Sequence, residues 1–446
     1  MKKSARILFL LLVSVSFLTA ACGGGPATPA ATRELGETSE DATVPATESQ
    51  SEVSCGTVSL EYWHPYTGPD GPVMGEMVDA FNANHSDIQV TGMAQSEYYT
   101  QLGTAQAADI LPDVAIIHAE LVATQVFRNV LRPIDHIAGE IEIQGDDFPT
   151  AVWEEGEVAG RRYSIPLDIH PMTMYYNADL LEAAGFAGPP TDAEEFAEVA
   201  GAEYPDGASG FMITGGFPVT QIFQMLLHQF GGSEFNDDVT QATWNSEAGV
   251  KALQWMVDAQ AKYSEPNLEV DADVNAFKAG EVAVVWNGIW QIRNLTGDAV
   301  SFDGHATSVP QIGSEMAVWA GSSQLTLPAH ESVDPCKDRA AAIFIEYMLD
   351  NSETWAKAGQ IPASDAVRDS AEFKAIEPQA SIAPSVEHAF FIPPVPGIDT
   401  ALSPLNDAVG AVMSGTETDI VQALGNSVER ANEILAENQS TFGDAP

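Results

Sequence analysis

The sequence predicts an α/β protein folded as two lobes joined by more than one crossover. Three observations carry this. From Val58 to His118 the apolar residues switch between strand and helix periods in the order βαβαβ. A second alternating region runs from about Tyr163 to Trp290. Between them there is no Pro- or Gly-rich linker and no internal repeat, which suits two lobes crossed several times better than two beads on a string. Such alternation predicts parallel sheets with helices on both faces.

The elements follow in order. Val58, Leu60 and Tyr62 alternate with polar residues as a strand, and Met74, Met77, Val78 and Phe81 lie on one face of a helix. SDIQVTGM is a second strand, YTQLGTAQAAD a second helix, and DVAIIH a buried apolar strand. The second region offers the strand MTMYY, the helices EEFAEVAGAEY, VTQIFQMLLHQFGG and VKALQWMVDAQAKY, and the strand VAVVW. Val318 to Leu327 is extended chain. Asp334 and Pro335 then open a helix as N-cap acid and first-turn proline, with Ile343, Phe344, Tyr347 and Met348 as its apolar stripe.

Composition narrows the function. Across 446 residues, 18 Lys and Arg face 64 Asp and Glu, a net charge of -46. No basic face for nucleic acid or anionic lipid can be assembled from so few cations. At 45% hydrophobic residues the chain is not disordered throughout, and its length suits two or three domains. The acid excess suits a salty medium in which self-repulsion is screened.

Residues 1–22 combine Lys2, Lys3 and Arg6 with an uncharged run from Ile7 to Ala21, which is short for a membrane span. Ala20, Ala21 and Cys22 resemble a bacterial lipobox, so lipidation at Cys22 is expected; the alternative is a plain secretory signal. Residues 23–52 hold almost no large apolar side chain and read as a tether. An exported body, lipid-anchored at the outer face of a membrane, is the expectation.

The sequence has no HExxH, GxSxG, CxxC, P-loop or GxGxxG motif, so neither an enzyme nor a cofactor is expected. Asp271, Asp273 and Asn275 hint at a calcium loop but lack its glycine and terminal glutamate, and helix-start acids explain them equally well. No metal is expected. The residues that stand out follow strands: Trp63, His64 and Tyr66; His118 and Glu120; Trp286, Asn287 and Trp290. Ligands of open α/β sheets bind beyond the carboxyl ends of strands. The bland alternative is that these large rings fill core edges.

LEYWHPYTG, LPDVAIIH, IPLDIHPMTMYYNADLLEAAGFAGPPTDAEEF and FKAGEVAVVWNGIWQI, in this order, resemble the extracellular solute-binding proteins of family 1. Those are the capture subunits of ABC importers, with maltose-binding protein as the best-known relative. The resemblance implies a periplasmic-binding-protein-like fold with several hinge crossovers. By analogy the first lobe is 53–164 plus 310–360, and the second is 165–309 plus 361–446. It also implies a cleft in which Trp290 stacks on a sugar ring, with Trp63, His64, Tyr66, His118 and Glu120 beside it. Asp168 and His170 become polar contacts, although His170 has a hinge role as its alternative. Phe217 marks a cleft edge near Gln221, and the AVWAGSSQ loop adds Trp319 and Ser322. Leu402 stands where the maltose binder has an aromatic, which disfavours a long maltodextrin site.

The expected function is a monomeric receptor passing a neutral mono- or oligosaccharide to a membrane permease. A polyamine or glycerol-phosphate-like solute is the alternative, and a glycosidase the rival from another class. With Cys22 lipidated, Cys55 and Cys336 remain as a pair, both in the implied first lobe, and a disulfide between them is expected.

Overall fold

The computed structural model describes residues 55–264 and 271–443. The leader, Cys22 and the tether lie outside the described residues. Among the described residues fifteen strands follow in chain order: β1 (Val58–His64), β2 (Ile88–Ala94), β3 (Val114–His118), β4 (Leu131–Arg132), β5 (Glu157–Val158), β6 (Arg161–Arg162), β7 (Ser164–Pro166) and β8 (Asp168–Asn177), then β9 (Ser209–Met212), β10 (Val282–Gly288), β11 (Gly304–Ser308), β12 (Val318–Gly321), β13 (Ser323–Pro328), β14 (Ile361–Pro362) and β15 (Ala389–Phe390). They make two large sheets. The first has the order β2-β1-β3-β13-β4 with β7 beside β13; the second has β15-β12-β8-β10-β9 with β11 and β14 also on β8. β5 and β6 pair as a small hairpin.

The first half of the predicted pattern forms as read. β1 pairs parallel with β2 and β3. Helix Gly71–Asn84 buries Met74, Met77, Val78 and Phe81, together with Val73, against the first core. The prediction of wholly parallel sheets fails. β13 runs antiparallel to β3, β4 and β7, and β8 runs antiparallel to β10, β11, β12 and β14. These strands enter by crossing from the other lobe, not through a local βαβ unit, so strand direction is set by tertiary path and leaves no local sequence period.

Helix Pro335–Asp350 starts as predicted, with the Asp334 carboxylate accepting from the N–H groups of Cys336 and Lys337. Its buried face is different from the predicted stripe. Ala340, Ala341, Phe344, Ile345 and Met348 face inward, while Ile343 and Tyr347 are only half-buried. Alanines on that face let the helix lie close to the first sheet. Cys55 and Cys336 are joined by a disulfide with a Cα–Cα separation of 5.6 Å. It ties the chain just before β1 to the first turn of this helix, at the end of β1 away from Tyr66.

Three crossings connect the sheets, at Leu167, Ser322 and Gln360, and they lie side by side. The Leu167 N–H donates to the Ser323 carbonyl at 2.8 Å, and the Ala363 N–H donates to the Leu167 carbonyl at 3.1 Å. The return to the first sheet therefore comes near residue 322, not at the expected 310. Gln229 explains the difference. Its amide nitrogen donates to the carbonyls of Pro310 and Ala317, and its oxygen accepts from the Ile312 N–H, which holds residues 310–317 against the second lobe.

Candidate functional site

A cleft of about 450 Å³ opens between the carboxyl ends of β1 and β3 on one side and of β10 and β12 on the other. The first side contributes the 65–70 turn with Tyr66 and Asp70, then His118 and Glu120. The second contributes Phe217, Gln221, Trp290, Gln291 and Trp319, and the crossings add His170, Ser323 and Gln360. None of the lining residues is Lys or Arg.

The aromatic wall is held from behind. β10 is buried along its whole length, and at its end the chain turns into a short helix, Ile289–Gln291, in which Ile289 is buried and Trp290 faces the cleft. Asn287 Oδ1 accepts from the Gly288 N–H at 2.9 Å, and the Tyr175 hydroxyl donates to the Gly288 carbonyl at 2.8 Å. The Trp290 indole lies over Gly288, where a Cβ would sit 2.0 Å from the ring. Phe217, 62% exposed, stacks on Trp290 with centroids 5.7 Å apart and planes 27° apart. Together they extend a flat apolar face.

The opposing side is polar. The His118 N–H donates to the Tyr99 hydroxyl, which stands 2.9 Å from His118 Nδ1. Burial, with His170 nearby, pushes the His118 imidazole down to about 4. Burial raises the carboxyls of Glu120 and Asp70 above their ordinary values. His170 packs edge-on to Trp290 and His118, and its Nε2 would lie 2.4 Å from a Cβ at Gly321. Gln221 Oε1, Gln360 Oε1 and Trp319 Nε1 are buried without a hydrogen-bond partner among the described residues. Ring faces, hydroxyl partners and unsatisfied amides thus converge on one space.

Of the twelve ligand candidates read from sequence, the structure brings seven to this cleft: Tyr66, His118, Glu120, His170, Phe217, Trp290 and Trp319. Five lie behind it. Trp63 and His64 are still inside β1, which runs two residues further than the reading assumed, and both are buried. Trp63 packs in the core while its carbonyl accepts from Tyr98. His64 lies between Tyr62 and Tyr66 and is held down to about 4 by burial. Asn287 belongs to β10 and is used by its own turn. Ser322 is fully buried, its hydroxyl accepting from Gln324. Asp168 is fully buried and its oxygens are taken by protein donors. Asp70, Gln291 and Gln360 were missed; Gln291 directly follows Trp290, and that adjacency was the available signal. Trp286 stacks within the core on Trp255, and Leu402 packs on the same core outside the cleft. Among the described residues no group of three or more potential metal ligands occurs.

The chain is similar to the sn-glycerol-3-phosphate-binding periplasmic protein UgpB of Pectobacterium atrosepticum, 22% identical over 84% of this chain and 91% of that one. It is similar to the lactose-binding protein of Rhizobium radiobacter, 24% identical over 64% of this chain and 69% of that one. In fold it resembles the cyclic alpha-maltosyl-1,6-maltose binding protein from Arthrobacter globiformis, with a TM-score of 0.69, 23% identity, and 86% and 100% of the two chains covered. This is the two-lobed periplasmic-binding-protein fold. The family model of the bacterial extracellular solute-binding proteins matches residues 76–378. The chain belongs to the bacterial extracellular solute-binding proteins.

Proposed function

We propose that this chain is the lipid-anchored receptor of an ABC importer, capturing a neutral mono- or oligosaccharide in the cleft and passing it to the membrane permease. The observation that supports this most is the pairing of opposite chemistries across one space. The faces of Trp290, Phe217 and Trp319 offer apolar walls for sugar rings, while Glu120, Asp70, Gln221 and Gln360 offer partners for hydroxyls. A phosphate-bearing solute such as that of the glycerol-phosphate relative fits poorly, because the lining holds no Lys or Arg to pair with it. The similarity to lactose- and maltosyl-sugar-binding proteins supports the same reading.

A polyamine is the second reading, favoured by two carboxyls, Asp70 and Glu120, standing beside aromatic rings. Calorimetry at two salt concentrations separates them. A neutral sugar binds with little salt dependence, whereas a polycation weakens steeply as salt rises. No heat from a panel of mono- and disaccharides, with a salt-sensitive signal from spermidine, would overturn the sugar assignment.

A further inference from the structure

Asp168 is the first residue of β8 and sits where the three crossings meet. It is fully buried. Oδ1 accepts from the Ser323 N–H at 3.0 Å, on the second crossing, and from His170 Nδ1 at 2.9 Å; Oδ2 accepts from Trp355 Nε1 at 2.6 Å, just before the third. Each of the two side-chain partners packs against residues that line the cleft. The His170 ring packs against Trp290 and Trp319, with centroids 6.1 and 6.3 Å away, and Trp355 packs against Tyr66 at 4.6 Å. One carboxylate therefore touches the hinge directly and both cleft walls through a single intervening ring.

We propose that Asp168 is a positioning residue that couples the hinge to the cleft, so that the placement of His170 and Tyr66 against a solute and the relative setting of the lobes are one variable. The inference rests on the cleft being the solute site. A buried carboxylate is stable only while its donors stay in place, since losing one leaves charge unpaired in a dry interior. By accepting from Nδ1 it also fixes the orientation of the His170 ring in the cleft. Relative motion of the crossings must carry the carboxylate, the imidazole and the Trp355 indole with it.

The test compares Asp168→Asn and Trp355→Phe with the unaltered full chain. Asparagine keeps the size but turns an N–H toward at least one of three N–H donors; phenylalanine keeps a ring against Tyr66 and removes one donor. Solution scattering on the ligand-free proteins reads the hinge, and calorimetry with maltose and lactose reads the cleft. Asp168→Asn is expected to change the ligand-free radius of gyration and to weaken binding of whichever sugar binds by at least tenfold, with Trp355→Phe shifting both in the same direction by less. An unchanged radius in Asp168→Asn overturns the coupling whether or not either sugar binds. A fall in melting temperature with unchanged radius and unchanged affinity of the folded protein overturns it too, because that is the signature of a structural role alone. Failure of the unaltered protein to bind any sugar or spermidine counts against the cleft assignment and leaves the scattering comparison to decide the hinge claim.

Discussion

The wall contributed by the first sheet carries Asp70, His118 and Glu120, whereas the wall contributed by the second carries Phe217, Trp290 and Trp319. The polar groups of the first are half-buried or buried, and burial moves His118, Glu120 and Asp70 toward their neutral forms. The second wall holds no titratable group among these three, and Phe217 on it is largely open to solvent. The second wall supplies most of the ring faces a sugar requires, with Gln221 and Gln291 among them, and the first supplies the carboxyls, with Tyr66 beside them. A solute that uses both gains most when the lobes approach, which is the condition under which binding shifts an open–closed balance.

The largest effect on binding is expected from the aromatic wall. Trp290→Ala should cost about 2–4 kcal/mol, roughly 30- to 1,000-fold in Kd, as for an aromatic hot spot. Titration calorimetry checks it, and a loss below threefold would put the recognition on the polar side. Next comes acid sensitivity, which belongs to the first lobe. An unfolded histidine titrates near about 6.5, while His64 and His118 are held down to about 4 in the fold. Between those values the unfolded chain binds more protons, so their contribution is complete above the unfolded pKa and is lost as pH falls toward the folded one. The size is on the order of 3 kcal/mol per ring. Glu120 and Asp70, raised by burial, act in the opposite sense, contributing at low pH and losing that contribution as pH rises through their raised values. Urea unfolding at several pH values should therefore show a shallower acid limb in His64→Gln.

Glu120→Gln should weaken a neutral sugar by about 1–2 kcal/mol, the cost of exchanging a carboxyl partner for an amide. If it outweighs Trp290→Ala, and salt weakens binding steeply, the polyamine reading prevails. Phe217→Ala should cost less than about 1 kcal/mol, since so exposed a ring shields little area. Smallest of all on affinity is replacing Cys55 and Cys336 by Ser. The bond lies at the far end of β1 from both walls, so Kd should hold. Stability should fall, by on the order of 5 kcal/mol at most for so long a closed loop.

Much of this architecture was legible because period survives locally. The alternation in β1 and the spacing of Met74, Met77, Val78 and Phe81 report which faces are buried, whatever the rest of the chain does. The direction of β8 and β13 was not legible, because a strand delivered by an interlobe crossing has the same alternation either way. In the site, Trp290 was found from the rule that ligands lie past strand ends, whereas Trp319, which lies inside β12, came from the family resemblance alone. Trp63, His64 and Asn287 were misplaced by the same rule, since it depends on where a strand stops, and boundaries shift by one or two residues. Asp168 looked like a hydroxyl partner in the sequence. Its hinge role depends on Ser323 and Trp355, 155 and 187 residues away, which no local pattern brings together.

Two positions directly behind rings of the cleft have no side chain. At Gly288 the space a methyl group needs is filled by the Trp290 indole, and at Gly321 by the His170 imidazole. An alanine at either place would push a ring off its seat while every residue facing the solute kept its identity. For a lineage drifting toward a different solute, the shortest step is then a single carbon atom, added behind the wall and not upon it.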